Sequence, residues 1–151
     1  MKVIVGRVSD FRNGDRKIVD VNGKSIGVFR IEDEFYALRN RCPHQFGPLC
    51  TGTLAPRAVS SGPGDVKLDC GPPLLACPWH GWEFDIATGQ SFMGAGRGNR
   101  SARSYEVNVV PGSALIDAAE RERRPDGRVP GPYVAETVPV SVEQDYVVIE
   151  C

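Results

Sequence analysis

The sequence predicts an all-β domain of antiparallel sheets, and three observations carry that reading. Short β-branched segments recur between turn residues, as in Val3 to Val8, Lys17 to Val21 and Ser25 to Ile31. Gly and Pro number 17 and 12 among 151 residues, which suits loops between strands better than helices. Asn22-Gly23 falls between two of those segments, and Asn-Gly is the strongest short hairpin signal. At this length the chain, residues 1–151, is expected to be a single domain that buries a core without disulfides.

Taken in order, Val3 to Val8, Lys17 to Val21, Ser25 to Ile31 and Glu34 to Arg39 read as four strands of an N-terminal antiparallel meander. Turns at Asn22-Gly23 and Glu32-Asp33 separate the last three. Residues 40 to 100 hold only short strands, Leu74 to Cys77 and Glu83 to Asp85, the second leading into the turn Ile86 to Gly89. Ala55 to Pro73 is polar and rich in Gly, Pro and Ser, so it reads as an exposed excursion. Arg103 to Val110 alternates as one strand. Thr137 to Val142 and Tyr146 to Glu150 read as a closing hairpin. One short helix is expected near residues 114–124, its charged run Glu120 to Arg124 forming a solvated face.

The formal net charge of −1 gives no general pull toward nucleic acid or an anionic membrane, so neither is expected as a partner. No apolar run approaches the ~20 residues a spanning helix needs, and the N-terminal apolar run is too short for a secretory signal. The expected location is the cytoplasm, where thiols stay reduced. Five cysteines, Cys42, Cys50, Cys70, Cys77 and Cys151, are an odd number for a disulfide framework. That leaves metal ligation or plain buried thiols.

Both histidines of the chain follow a cysteine at a short step, in Cys42-Pro43-His44 and Cys77-Pro78-Trp79-His80. The implied site has two thiolates and two imidazoles. A tetrahedral zinc ion accepts such ligands, but zinc pairs usually stand two to four residues apart. The single residue between Cys42 and His44 makes it hard for both to reach one ion. It suits sending them to two, as a binuclear [2Fe–2S] cluster requires, with two thiolates on one iron and two imidazoles on the other. A zinc-stabilised binding module remains the alternative.

The segments Arg41-Cys42-Pro43-His44-Gln45-Phe46-Gly47-Pro48-Leu49 and Cys77-Pro78-Trp79-His80-Gly81-Trp82-Glu83-Phe84-Asp85 resemble the two cluster-binding loops of the Rieske family. They are most similar to Rieske-type ferredoxins and the Rieske domains of ring-hydroxylating dioxygenase systems. The resemblance runs over roughly residues 1 to 92 and the closing segment near 137 to 150. It implies an antiparallel β-sandwich with an inserted cluster-binding subdomain, about residues 40–96. It also implies one [2Fe–2S] cluster per chain, held by Cys42, His44, Cys77 and His80. The sequence departs from the family in three places. The 32 residues Gln45 to Ala76 between the loops are about twice the usual number, an insertion at about 55–73. The stretch Phe92 to Gly98 lacks the proline of the family's cluster-shielding loop. A second insertion occupies about 98–135.

Replacing two thiolates by imidazoles removes negative charge and raises the potential, to roughly −150 to +300 mV in this family. High-potential members carry hydroxyl donors after the second motif and an extra cysteine in each loop. Here Trp79 stands at the second loop's extra cysteine, and Trp82 and Phe84 stand at the hydroxyl positions. Fewer donors to the sulfurs stabilise the reduced state less, so a low potential is expected. Cys50 and Cys70 are expected to be unligated thiols rather than a bridge, and Cys151 an inert one. Trp79, Trp82, Phe46 and Leu49 are expected to form a dry collar, with His44 and His80 as the electron exit.

The expected function is one-electron transfer, from a reductase to a terminal oxygenase or similar redox enzyme. A mononuclear oxygenase iron needs histidines of its own, and both are already used. The chain alone is therefore expected not to be catalytic but to be the electron-transfer component of an oxidoreductase system. The alternative in the same class is a small Rieske subunit docked on a larger oxidoreductase, such as a nitrite reductase or hydroxylase.

Overall fold

The computed structural model describes residues 1–91, 101–112, 114, 115 and 144–150. Its strands are β1 (Lys2–Arg7), β2 (Arg16–Val21), β3 (Lys24–Ile31), β4 (Glu34–Arg39), β5 (Thr53–Ala55), β6 (Ala58–Gly62), β7 (Asp65–Leu68), β8 (Leu74–Ala76), β9 (Glu83–Asp85), β10 (Ser104–Tyr105), β11 (Val107–Pro111) and β12 (Asp145–Glu150). They form sheets ordered β1-β12-β11, β10-β4-β3-β2 and β5-β8-β9, with β6 and β7 paired to each other. Every strand pairing is antiparallel. The expected all-β arrangement of antiparallel sheets is what the chain adopts.

The hairpins that local sequence dictates form in register. Asn22 and Gly23 both take left-handed backbone (φ 52° and 72°), the twist a two-residue hairpin turn requires. Glu32 does the same at φ 53°, held by reciprocal bonds with Asn13. The Glu32 N–H donates to Asn13 Oδ1 (2.8 Å) and Asn13 Nδ2 donates to Glu32 Oε1 (2.9 Å).

Strand β3 explains how the molecule is layered. Its residues alternate between two cores. Ile26 and Val28 face Val5, Phe11, Ala37, Tyr105, Val147 and Ile149, the filling between the first two sheets. Phe29 joins Leu38, Leu49, Leu75, Phe84 and Ile86 on the other side, a core that also takes in Cys42, Cys50 and Cys77. With neither face exposed at its centre, β3 runs Ile26-Gly27-Val28-Phe29 without a polar side chain, as buried strands do. Burial of each such side chain contributes about 1.5–3 kcal/mol.

Three expectations change. β1 is not part of the meander. It pairs with β12, Lys2 opposite Glu150 and Arg7 opposite Tyr146. A short 3-10 turn, Val8–Asp10, carries the chain across to the other sheet, with Phe11 packed in the core behind it. Arg103 to Val110 is two strands rather than one. Tyr105 pairs with Ala37 in one sheet and Val107 with Ile149 in the other, so the chain changes sheets at Glu106. Ala55 to Pro73 is not merely an excursion. It contains the β6–β7 hairpin, turned at Pro63-Gly64 with Gly64 at φ 79°. Arg57 ties its base to β9 through a 2.8 Å ion pair with Asp85.

Gly112, Ala114 and Leu115 are helical, and the rest of the expected helix lies outside the described residues. So do Phe92 to Gly98, Thr137 to Val142 and Cys151. Both edges of β12 are hydrogen-bonded, to β1 and β11. Among the described residues no helix is long and apolar enough to cross a membrane.

Candidate metal centre

The two cysteine–histidine segments fold into the same turn. In the first, the Phe46 N–H donates to the Cys42 carbonyl (2.8 Å) and the Cys42 N–H to the Gly47 carbonyl (2.9 Å). In the second, the Gly81 N–H donates to the Cys77 carbonyl (2.9 Å) and the Cys77 N–H to the Trp82 carbonyl (2.8 Å). In both, the fourth residue after the cysteine is left-handed, Phe46 at φ 65° and Gly81 at φ 69°. Only the histidine differs in place, second after the cysteine in one loop and third in the other. Across the two turns the Cys42 thiol meets that of Cys77, and the His44 ring meets that of His80.

The cysteines lie inside and the histidines outside. Cys42 and Cys77 are 2% and 3% exposed, with their thiols in hydrogen-bonding contact. Burial pushes the Cys42 thiol up. The backbone N–H groups of His44 and Gln45 work against this, and the adjoining Cys77 thiol adds to it. The His44 and His80 rings meet edge to face, centroids 4.8 Å apart. His44 is half-buried and stacks on Trp82 at 4.3 Å with the planes 8° apart. His80 is exposed.

This donor set fits a two-iron cluster. The cysteines are paired on the protein side and the histidines on the solvent side. Backbone N–H groups point at the Cys42 sulfur, where a metal-bound thiolate gathers charge. Among the described residues no three His, Cys, Asp or Glu side chains gather closely enough to hold one ion. A cluster asks for two ligands at each iron, whereas a structural zinc ion asks for four at one point.

The Rieske [2Fe–2S] domain family matches residues 1–105 of the sequence. The chain belongs to the Rieske [2Fe–2S] family. As a Rieske domain it is 31% identical over 88 residues to the human Rieske domain-containing protein, matching 58% of this chain and 48% of that one. It thus spans about half the length of that relative. It is 27% identical over 110 residues to the ferredoxin component of the naphthalene 1,2-dioxygenase system of Pseudomonas putida, covering 73% of this chain and 88% of the other. Among solved structures it resembles a chain of the complex of reduced oxygenase and oxidized ferredoxin in carbazole 1,9a-dioxygenase. The identity is 28% and the TM-score 0.53, covering 73% and 95% of the two chains.

The first ligand loop of this Rieske domain is anchored from behind by two residues that no motif marks. Arg16 on β2 donates from Nη1 to the carbonyls of Cys50 (2.9 Å) and Gly52, with its guanidinium over the Phe29 ring. Asn40 Oδ1 accepts the Cys50 N–H at 2.7 Å. No local pattern marks Arg16, because its partners are more than thirty residues away. The expected collar divides. Leu49 is fully buried and Trp82 half-buried, but Phe46 and Trp79 are 62% and 58% exposed. Left-handed backbone turns Phe46 outward. Trp79 lies across Gly47, where a Cβ would stand 2.8 Å from its ring. They form an exposed rim, not a dry interior.

Cys50 and Cys70 are both free, as expected. Cys50 is fully buried. Its thiol donates to the Leu38 carbonyl (3.4 Å), and burial pushes it up to about 12. Cys70 is exposed. Trp82 and Phe84 stack and pack and carry no hydroxyl toward the site.

Proposed function

We propose that this Rieske domain is a one-electron carrier of the low-potential ferredoxin type. It takes electrons from a reductase and delivers them to a terminal oxygenase or similar redox enzyme in the cytoplasm. Cys42, His44, Cys77 and His80 hold the cluster. When bound, the cluster supplies a one-electron couple at roughly −150 to +300 mV.

The observation that carries this reading is the division of the site, with buried thiols behind and an exposed imidazole, His80, in front. The thiol side is sealed by Leu49, Leu75 and Phe84 and excludes water. The imidazole side opens the shortest route to a partner. Trp82 fixes the His44 ring by stacking, so the outer edge does not rearrange when charge changes. The named role of the naphthalene dioxygenase ferredoxin, of which the chain covers 88%, supports the same reading. The low potential rests on Trp82 and Phe84, which offer the sulfurs no hydroxyl.

Spectra of protein purified without oxygen test the proposal. Dithionite-reduced protein is expected to give a rhombic EPR signal with average g below 2. Titration is expected to place the midpoint in the lower part of the family range. A colourless, EPR-silent protein that binds zinc would overturn the carrier; a clearly positive midpoint would overturn the low-potential assignment alone.

A further inference from the structure

The exposed rim around His80 carries a charge with a defined position. Across the two ligand segments, residues 41–49 and 77–85, Arg41 is the only Lys or Arg. The carboxylates are Glu83 and Asp85, which lie past Trp82, and Asp85 is paired with Arg57. Its guanidinium lies 4.0 Å above the Phe46 ring. Phe46 in turn stands at the left-handed position of the first ligand turn, two residues from His44. A bulky side chain is uncommon there, because its Cβ crowds the neighbouring carbonyl. The equivalent residue of the second turn is Gly81, which has no Cβ to crowd. The neighbouring Gly47 lies under Trp79, the residue before His80. Arg41, Phe46 and Trp79 are all exposed, so the rim joins one cation to two aromatic faces beside the histidine edge.

We infer that Arg41, held on the ring of Phe46, is a specificity-determining residue of the electron exit. It selects a redox partner protein whose contact face sets carboxylates around its electron-receiving group. This rests on the carrier reading above and names the chemistry of its partner. The chain as a whole is nearly neutral, with a net charge of −1, so the preference comes from this local cation rather than from overall charge. Arg and exposed aromatics are the residue types that anchor protein interfaces. A cation over a ring is partly desolvated and fixed, so its field at the exit does not average away.

Two small oxidants of opposite charge test this. Protein reduced with one equivalent of dithionite is mixed in stopped flow with tris(oxalato)cobaltate(III) or with hexaamminecobalt(III). One electron leaves the protein, and cobalt(III) becomes cobalt(II). At low salt, Arg41→Glu is expected to slow the anionic oxidant about fivefold or more and to speed the cationic one comparably. Arg41→Gln is expected to give about half that effect on a logarithmic scale, and Phe46→Leu a smaller shift of the same sign. A change in midpoint potential moves both rates the same way, so opposed shifts isolate the field at the exit. Arg12→Glu is the control. Arg12 lies beside the Glu32 turn, at the far end of β3 from Asn40, and its rates are expected to stay within about twofold of native. If Arg41→Glu moves both oxidants together, or neither, the inference is overturned while the carrier stands. If native protein shows no Rieske EPR signal and reduces neither oxidant, the carrier reading falls and takes the inference with it.

Discussion

Gly52→Ala places one methyl group between the two ligand loops. A Cβ at Gly52 would stand 1.8 Å from the Ala76 carbonyl oxygen, 2.9 Å from its carbon and 3.1 Å from the Leu49 oxygen. An ordinary carbon–oxygen contact is about 3.3 Å, so the backbones must part by about 1.5 Å. Ala76 has no freedom to yield. It pairs with Thr53 on one side and Glu83 on the other, and Cys77 follows it. Gly52 is held too, since Arg16 donates to its carbonyl. Parting them costs about 3 kcal/mol, at the upper end for overpacking. In a domain of this length that corresponds to a Tm about 10 °C lower. The separation falls at the ligands, so iron content per chain is expected to drop as well. Gly23→Ala serves as the comparison. Gly23 has left-handed backbone, φ 72°, where Gly52 is extended at φ −75°, and nothing lies within 4 Å of the Gly23 Cβ position. It is expected to cost about 1 kcal/mol of conformational strain and to keep its iron. Thermal unfolding followed by circular dichroism, with iron assayed on the same samples, gives both readouts. A Gly52→Ala protein that melts within 3 °C of native with full iron would refute the close-approach reasoning.

Four further outcomes follow from other contacts. Phe46→Gly removes the left-handed cost while losing little burial and is expected to raise stability by about 1 kcal/mol in a denaturant titration. Iodoacetamide at pH 8 is expected to label Cys70 and spare Cys50, as mass spectrometry would read. Above pH 9 the unfolded chain ionises Cys50, whose ordinary value is 9.0, and the native chain does not until about 12. The unfolded state then binds fewer protons, so this group's contribution to stability falls by about 1.4 kcal/mol per pH unit across that window, and Cys50→Ala should remove the slope. Replacing Pro56 to Pro73 with Asn-Gly closes β5 onto β8 directly. It is expected to leave the EPR signal unchanged, because the β5–β8 pairing beside the ligands does not include the β6–β7 hairpin.

The ligand loops were legible because their chemistry is local. Cys42 and His44, like Cys77 and His80, lie within one turn, and a spacing carries that information. The Asn22-Gly23 and Glu32-Asp33 turns were legible for the same reason. The pairing of β1 with β12 was not, since nothing near Lys2 refers to Glu150. The change of sheet at Glu106 was hidden by an alternation that continues through it. The exposure of Phe46 follows from a single backbone angle, which side-chain type does not encode. Arg16 reads as an ordinary strand cation until its two distant carbonyl partners are in view.

The position of β12 also orders events in time. β1 cannot find its neighbour until residues 145–150 exist, and contacts that span nearly the whole chain form slowly. The β5-β8-β9 sheet and the two ligand turns connect residues between 42 and 85, and their pairings are local by comparison. On a chain emerging from the ribosome, the receptacle for the cluster can therefore be assembled while the N-terminal strand is still unpaired. Loading of iron and closure of the outer sheet become separable steps of maturation.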